Sequence, residues 1–548
     1  MKSIMPAQKN FAKVPQIGGI QRSVFNRSHA HKTTFDAGEL IPFYVDEILP
    51  GDSISLNAQL FGRLSSPMSH PIFDNLSLDT HYFFVPARII WDNWEKFNGA
   101  QDNPGDPIDF VIPTVDYGDE SVQVGSIGDY FGLPIIGASD TLEVNALPFR
   151  AYNKIWNEWF RSQDLQDSVE ESTGDTDNYL NYEILKRGKR HDYFTTCLPS
   201  PQKGDPVGIS LTGSAPVYGD GKALGLTRND GTQYGLYSRL VGGGVNDYPF
   251  YPHTAAYGWD LSNTGGLPSG NENGQDREPF GVVQSGFSGL IADLTDADAV
   301  LINDLRDAIS VQHVLEIDQR SGTRYVEMLK AHFGVVSPDF RLQRPEYLGG
   351  GTAHINVNPV TQTSETDTTG QGTQTAHGTM GSSSGFSKSF VEHGYVIGLV
   401  SVRADLTYQY GVHKMWTRST RYDFYLPSFA NLGEQAVLNK EIYFQSTPSI
   451  DDNVFGYQER WAEMRYKPSL ITGKFRSAAA GTLDAWHLSE KFTALPELDN
   501  QFIEDNTFEP LQRSLVVQDE PQILMDSYIS IRHARPMPVY SVPGLDRI

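Results

Sequence analysis

The stretches of this chain that predict β-strands lie far apart in the sequence, and this spacing constrains the fold more than any other feature. Residues 53–60 (SISLNAQL) alternate apolar and polar side chains, which predicts a strand with one buried face. Residues 80–87, 395–408 and 527–533 are further runs of aromatic, β-branched or alternating residues. Because strands so widely separated must pair non-locally, the pattern favours an antiparallel Greek-key sandwich over a parallel sheet with regularly alternating helices.

The helical patterns fall in the connections between these strands. Residues 148–162 begin with Pro148 and carry an apolar stripe at helical spacing, and residues 302–317 are also compatible with an amphipathic helix. Residues 323–334 predict a third helix that ends at Gly334. We therefore expect a mainly-β protein whose strands are joined by long, helix-containing insertions.

Two segments depart from this regularity. Residues 207–300 are rich in glycine, which predicts a surface insertion in the main fold. Residues 361–387 are nearly all small or polar, which predicts a mobile loop. The predicted organisation is a basic N-terminal arm (1–35), a first part of the core with its connections (36–206), the variable insertion (207–300), and the remainder of the core (301–548) with the mobile polar loop (361–387).

The charge of the chain is unevenly distributed. Its formal net charge is −24, which argues against a conventional DNA-binding domain. Residues 1–35 nevertheless contain basic and no acidic side chains, and a second basic segment, KRGKRH, occupies residues 186–191. A flexible basic arm is a common way to hold a polyanion without reading its sequence, whereas a solvated surface is the alternative for any such cluster. The candidate nucleic-acid contacts are Lys2, Lys9, Lys13, Arg22, Arg27, Lys186, Arg187, Lys189 and Arg190.

Motifs for catalysis are weak in this sequence. Gly381, Ser383 and Gly385 satisfy GxSxG, but they lie in a Gly/Ser/Thr tract without the strand–turn–helix pattern of a nucleophile. The single cysteine, Cys197, is expected to be a small buried apolar residue. Because no zinc-protease, phosphate-loop or EF-hand motif occurs, we predict no enzyme activity, cofactor or resident metal.

His29 and His31 form an HxH pair, and side chains two residues apart point to the same side of an extended chain. A metal site would need further ligands, and the nearby sequence supplies only Asp36 and Glu39. We expect a structural or interface role for the pair, with protonation at mildly acidic pH as a second way in which it could act.

Cysteine content and hydropathy bear on the compartment in which the chain folds. One cysteine excludes an internal disulfide framework. No run of about 18 uncharged apolar residues occurs, and residues 1–16 lack the apolar block of a signal peptide. The sequence predicts a protein without membrane insertion that folds in a reducing cytoplasm.

Six blocks of sequence, spread over most of the chain, carry a resemblance to a known family. They are KTTFDAGELIPFYVDEILPGD (32–52), PIFDNLSLDTHYFFVPARIIWDNWEKFNG (71–99), GTRYVEMLKAHFGVVSPDFRLQRPEYLGG (322–350), GYQERWAEMRYKPSLITGKFR (456–476), DAWHLSEKF (484–492) and PMPVYSVPGLDRI (536–548). These blocks resemble the major capsid protein of the gokushovirus branch of the Microviridae, which are small icosahedral bacteriophages with a circular single-stranded DNA genome. The resemblance departs mainly in residues 207–300 and 361–387.

The resemblance implies an eight-stranded antiparallel jelly roll with long helix-containing inter-strand insertions. It also implies sixty copies of the chain in a T=1 icosahedral shell around packaged single-stranded DNA. Further implied partners are phage scaffolding, small basic DNA-binding and pilot proteins, and a host surface receptor contacted through residues 207–300. A passive surface loop is the alternative for that insertion. By the same resemblance the protein is located in the virion, after synthesis in the cytoplasm of the bacterial host.

Subunits of a shell bury apolar and aromatic surface against several neighbours. Trp91, Trp94 and Phe97 in WDNWEKF are the candidate interface anchors, with packing inside the same chain as the alternative. The competing class is a carbohydrate-binding or carbohydrate-active β-sandwich, which the aromatic content of 11% would suit. Carbohydrate cleavage needs two carboxylates roughly 5–10 Å apart, which a sequence alone does not establish.

Overall fold

The structure is a computed structural model that describes residues 21–117, 122–137, 140–208 and 302–540, together with four short strands between 209 and 301. The chain divides into two compact units. The larger unit comprises Met1–Asp205 and Val314–Ile548, and the smaller comprises Pro206–His313. The predicted insertion, residues 207–300, falls inside the range of the smaller unit, although most of its residues lie outside the described ones.

Strands provide most of the regular structure. In chain order they are β1 (Ser23–Asn26), β2 (His29–Phe35), β3 (Ile41–Ile48), β4 (Ser53–Leu64), β5 (Leu76–Pro86), β6 (Thr114–Asp116), β7 (Glu143–Asn145), β8 (Val217–Gly219), β9 (Leu226–Thr227), β10 (Gln233–Tyr234), β11 (Leu290–Ala292), β12 (Glu346–Thr361), β13 (Gln374–Ser389), β14 (Gly394–Ala404), β15 (Glu434–Leu438), β16 (Val454–Glu459) and β17 (Ile523–Arg535). The four long strands predicted from the sequence are confirmed as β4, β5, β14 and β17.

The α-helices are shorter and lie between the strands. They are α1 (Trp94–Phe97), α2 (Ile127–Tyr130), α3 (Leu147–Ile155), α4 (Ile302–Ser321), α5 (Tyr325–Phe333), α6 (Asn439–Ile442), α7 (Pro448–Asp451), α8 (Ala462–Arg465), α9 (Asn500–Ile503) and α10 (Phe508–Ser514). The three predicted helices are confirmed as α3, α4 and α5. Helix α3 continues into a π-helical turn at Trp156–Phe160, and α5 ends at Gly334, whose φ of 66° suits the left-handed helix cap that glycine favours.

The long strands form one antiparallel sheet with eight strand positions. The order is β1/β2, β17, β4, β13, β12, β5, β14 and β3, because β1 and β2 both pair with β17 along the same edge. Strand β12 joins the two halves: Glu346–Ile355 pair with β5, and Asn356–Thr361 pair with β13. The sheet therefore curls into a two-layered jelly roll with helix-containing insertions, as the family resemblance implied.

The core lies between the two halves of this sheet. Along β4, alternate residues from Ile54 to Leu64 are buried, and the residues between them are exposed. Strand β17 repeats the same alternation, and its buried residues, including Ile529 and Ile531, pack into the same cluster. A single buried leucine or isoleucine contributes about 1.5–3 kcal/mol, so the alternation itself fixes which face of each strand turns inward.

A second core lies on the outer side of the β5–β14 half. Helix α3 packs there, and the hydroxyl of Tyr152 donates a 2.8 Å hydrogen bond to the Leu40 carbonyl. Phe83 and Ile397 supply the strand side of this cluster. The β5–β14 half is thus covered on both faces, which explains why β14 is buried at nearly every position instead of at alternate ones.

The prediction of a mobile loop at 361–387 is wrong for its second half. Residues 374–387 lie in strand β13, and only residues 362–373 connect β12 to β13. A small residue is required at Gly378 because a side chain of the neighbouring strand β4 lies close to it. A Cβ atom added at Gly378 would lie 2.8 Å from the Leu64 side chain. The low hydrophobicity that suggested a loop therefore reflects tight packing of one strand against its neighbours.

The predicted N-terminal arm, residues 1–35, is also shorter than expected. Residues 23–26 and 29–35 are strands β1 and β2, which pair with the C-terminal strand β17. Their backbone groups are used in the sheet, so this part of the predicted arm belongs to the fold itself. Residues 1–20 lie outside the described residues.

Candidate nucleic-acid and assembly surfaces

The basic residues predicted near the N-terminus fall into two groups. Lys2, Lys9 and Lys13 lie outside the described residues. Arg22 is exposed and donates a 2.8 Å hydrogen bond to the Ser53 hydroxyl. Arg27 is committed to an ion pair, with its guanidinium 2.5 Å from the Asp46 carboxylate.

The second basic segment is divided between the interior and the surface. The Arg187 guanidinium lies 2.7 Å from the Asp79 carboxylate and 2.8 Å from the Ser401 hydroxyl. Burial lowers the pKa of Arg187 to about 10, with the nearby charge of Arg403 as the next cause, so the group still carries its charge at neutral pH. Although burial alone would raise the pKa of Asp79, the hydrogen bond from Thr352 and the charges of the two arginines lower it. These residues form a closed internal cluster.

Lys189 is buried as well. Its ammonium lies 2.8 and 2.9 Å from the two carboxylate oxygens of Glu490 and 4.6 Å from the centre of the Phe502 ring. This geometry corrects the expectation that Arg187 and Lys189 contact nucleic acid, because their charges are turned inward and neutralised by carboxylates of the same chain.

Lys186 and Arg190 differ from their two neighbours. The side chain of Lys186 is 56% exposed and lies 3.5 Å from Glu504, and that of Arg190 is 34% exposed and lies 3.6 Å from Asp405. The exposed ion pair of Lys186 is worth about 0–1 kcal/mol, so Lys186 is free to exchange partners. Arg190 is half-buried, and its guanidinium also donates a hydrogen bond to the Ser77 hydroxyl. Of the four basic residues in the segment, Lys186 and Arg190 therefore remain predicted nucleic-acid contacts.

The three candidate interface anchors also separate by burial. Trp91 is completely buried, and its indole nitrogen donates a 2.7 Å hydrogen bond to Asp175. Trp94 is partly buried in the same cluster, and Phe97 is 36% exposed. Trp91 therefore packs inside its own chain, which was the alternative for this motif, and Phe97 is the aromatic ring that a neighbouring molecule can reach.

One face of the sheet remains open to solvent, and we name it the open sheet face. It is the outward side of β2, β17, β4 and β13, where paired residues of neighbouring strands point away from the core. Most of its side chains are small and polar, such as Ser55, Asn57 and Ser383. Two aromatic rings stand out, since Phe61 is 59% and Tyr528 is 51% exposed.

Sequence reasoning did not identify this face. The signal was present in β4, where the aromatic Phe61 and the basic Arg63 occupy outward positions of an alternating strand. It was not assembled into a surface because Tyr528 and Arg532 come from β17, more than 460 residues further along the chain. Only the pairing of β4 with β17 brings the four side chains onto one face.

His29 and His31 lie where β2 approaches β3. The His29 ring stacks on the ring of Tyr44, with 6.2 Å between centroids and 23° between planes. Burial lowers the pKa of the His31 ring, with the charge of His29 as the next cause. The pair thus takes part in closing the two edge strands of the sheet against each other, which is a structural role.

Groups that would support catalysis are engaged in structure. Ser383 of the GxSxG match lies in the middle of β13, and its hydroxyl donates a 3.2 Å hydrogen bond to the Asn57 carboxamide. Cys197 is buried, and burial raises the pKa of its thiol. Across residues 21–117, 122–137, 140–208 and 302–540, no three His, Cys, Asp or Glu side chains are placed to hold a metal ion. In the same part of the chain, no helix has both the length and the apolar character needed to cross a membrane.

Comparison with known proteins identifies the class to which this jelly roll belongs. A family profile described as "Capsid protein (F protein)" matches residues 13–545. Capsid protein VP1 of Bdellovibrio phage phiMH2K is 47% identical over 555 residues, covering 98% of each chain. The VP1 proteins of Chlamydia phage 1 and Spiroplasma virus 4 are 43% and 35% identical, covering 99% and 96% of this chain and 98% and 96% of their own.

The chain belongs to the capsid protein (F protein) family. It is the structural major capsid protein of a bacteriophage of the gokushovirus type, it assembles with itself into a shell, and it is located in the virion. The family places it among structural proteins and not among enzymes. Between the two classes that the sequence left open, the comparisons therefore decide against the carbohydrate-active sandwich.

Proposed function

We propose that sixty copies of this chain form a T=1 icosahedral shell that encloses single-stranded DNA. The observation that carries the proposal is the match of the family profile from residue 13 to residue 545, on a chain whose long strands form a jelly roll. In this arrangement the protein acts by assembly and not by turnover. The experiment is co-expression with phage helper proteins followed by negative-stain microscopy, which should yield uniform round shells or pentameric intermediates.

The N-terminal basic residues are proposed to contact the packaged DNA. Asp46 and Asp526 offset the charges of Arg27 and Lys32, so the other four of the six N-terminal charges are counted for phosphates: Lys2, Lys9, Lys13 and Arg22. If each of these releases one counterion, the logarithm of the affinity for single strands falls with the logarithm of salt concentration with a slope near −3. Lys186 and Arg190 are proposed as further contacts on the body of the protein.

This proposal is tested by deleting residues 1–20, which leaves β1 in place. The variant should form closed shells that hold less DNA than the wild type, measured as the ratio of absorbance at 260 and 280 nm of purified particles. A matched variant with glutamine at Lys2, Lys9 and Lys13 keeps the length of the segment and should show the same loss. Unchanged packaging in both variants would contradict a DNA-binding role for the segment.

Residues 207–300 are proposed to form the surface that meets the host receptor. Their support is the glycine-rich composition and the resemblance of the rest of the chain to a family in which this position is variable. Exchange of residues 207–300 between related phages should transfer host range while leaving shell formation intact. If the shells form and their host range does not change, residues 207–300 are better explained as a passive surface loop.

The remaining partners follow from the same proposal. Phage scaffolding, small basic DNA-binding and pilot proteins would associate with the shell, which would assemble in the cytoplasm of the bacterial host. Expression of the chain with and without each helper protein, scored by particle counts, tests which of them shell closure requires.

A further inference from the structure

The open sheet face is flat, polar and long enough to hold an extended polymer. From residue 524 to residue 534 of β17 it runs for about 33 Å, and its four strands span about 14 Å. Its β13 side carries Gly381, Ser383 and Ser387, whose small side chains leave the surface without ridges. The shape alone does not determine which polymer binds, but the aromatic and charged residues of this face indicate its chemistry.

Phe61 and Tyr528 form an exposed diagonal pair on this face. In the register of β17 with β4, Phe61 lies opposite Asp526 and Tyr528 lies opposite Gln59. Diagonal neighbours on adjacent strands have Cα atoms about 7–8 Å apart, so the two rings lie on adjacent positions of one surface. Among the described residues, neither ring stacks on another aromatic side chain, and both rings are more than half exposed. An exposed ring pair on a sheet is a stacking platform for planar groups.

The charge of the open sheet face is opposite in sign to that of the whole chain. Arg63, Arg532 and Lys32 point outward on it. Its acidic side chain, Asp526, lies 2.5 Å from Lys32, so the charges of these two residues offset each other in the net charge of the face. Arg22 adds a further positive charge through its hydrogen bond to Ser53 at the far end of the face. On a chain of net charge −24, a surface that carries Arg532 and Arg22, which have no carboxylate partner among the described residues, fits a polyanion.

A carboxylate cluster at one end limits where that polyanion can run. Asp36, Glu39 and Asp129 line the cleft of about 770 Å³ where β2 ends, together with Phe61 and Arg63. The phosphates of a bound chain would be repelled there and attracted toward Arg532 and Arg22 at the opposite end. Phe61 borders the cleft, and Tyr528 lies between the cleft and Arg532 along the face, so bases and not phosphates would contact the protein at this ring pair.

We propose that the open sheet face binds single-stranded nucleic acid, with Phe61 and Tyr528 stacking on successive bases and Arg532 and Arg22 facing the phosphates. The inference rests on the proposed function, because it names the surface of this capsid protein that meets the genome. It adds a base-stacking contact to the purely electrostatic contacts of the N-terminal residues, and it is independent of base sequence because every base has a π-face.

The test measures affinity and assembly separately on the full chain. Fluorescence anisotropy of a labelled oligothymidine of roughly 15–20 nucleotides and of a duplex of equal length reports binding by the unassembled protein. Each of Phe61→Ala and Tyr528→Ala should weaken single-strand binding by roughly 5- to 150-fold, as loss of one stacked base predicts. Phe61→Tyr should restore binding because it restores the ring. Phe340→Ala, which removes a ring of 53% exposure in another part of the chain, should change nothing.

Shell formation of the same variants, scored by negative-stain microscopy, separates the possible failures. If Phe61→Ala and Tyr528→Ala form shells and bind the oligonucleotide as tightly as the wild type does, the stacking role of the two rings is refuted and the proposed function still stands. Loss of shells with unchanged affinity would instead make the open sheet face a contact between copies, and this too refutes the stacking role. Equal losses on duplex and single strand would refute stacking as the mode of binding. A wild-type chain that forms no shells and binds no DNA would refute the proposed function together with the platform.

Discussion

The clearest consequence of the structure concerns two adjacent residues of the basic segment, Lys186 and Arg187. We expect Arg187→Met to destabilise the protein by about 3 kcal/mol. Removing one partner of a buried ion pair costs about 3–5 kcal/mol, and the lower end applies because Arg403 still lies 2.9 Å from the Asp79 carboxylate. Lys186→Met should change the free energy of unfolding by no more than about 0.5 kcal/mol, since its pair with Glu504 is exposed and 3.5 Å long.

Thermal unfolding of the unassembled chain measures this difference. For 548 residues the entropy of unfolding is on the order of 1 kcal/mol per kelvin, so the loss corresponds to about 3 °C in the melting temperature. The two variants remove the same formal charge from neighbouring positions, so each controls for the other in DNA binding. Equal melting temperatures, or weaker DNA binding by Arg187→Met at unchanged stability, would refute the assignment of Arg187 to an internal structural cluster.

Three further outcomes follow from the packing. Burial holds the pKa of His31 below 6.5, so the unfolded state binds more protons and the free energy of unfolding decreases as pH falls below that value. The variant with Asn at His29 and His31 should form shells normally at neutral pH and lose less stability than the wild type near pH 6. If the two proteins have the same pH profile, the pair contributes packing only. Gly378→Val should destabilise the chain by about 1–3 kcal/mol, because the added side chain would clash with Leu64 of β4. Chemical denaturation measures this loss, and Gly381→Val is the control because a Cβ atom at Gly381 has no neighbour within 4 Å. Trp91→Ala should cost about 3–5 kcal/mol in unfolding experiments, whereas Phe97→Ala should leave the monomer stable and lower the yield of shells; the reverse pattern would contradict the burial of these rings.

The main strands could be predicted because each one has its side chains buried on one side or on both sides of the sheet. This burial is visible in the local sequence, as the alternation from Ile54 to Leu64 in β4 and as the continuous apolar run in β14. Strand β13 carries no such record, since its inward positions include Ala376, Gly378 and Ser384. Its strand conformation depends on the closeness of the strands on either side, which the sequence does not express.

The candidate surfaces were less predictable because they depend on distant partners. Nothing in KRGKRH distinguishes Arg187 from Lys186, and the difference comes from Asp79, which β5 places in the interior. The open sheet face likewise exists only after the C-terminal strand has paired with β4, which brings Tyr528 beside Phe61. A charge or an aromatic ring seen in the sequence thus indicates chemistry, while the register of the sheet decides where that chemistry acts.

The central claim is that this jelly roll is built to assemble with itself into a closed shell, and particle formation tests it most directly. The full chain, expressed with phage helper proteins and examined by electron microscopy with reconstruction of the particles, should give uniform icosahedral shells in which sixty copies are related by T=1 symmetry. The open sheet face should then lie on the inner surface. A chain that remains a stable folded monomer under those conditions would contradict the claim.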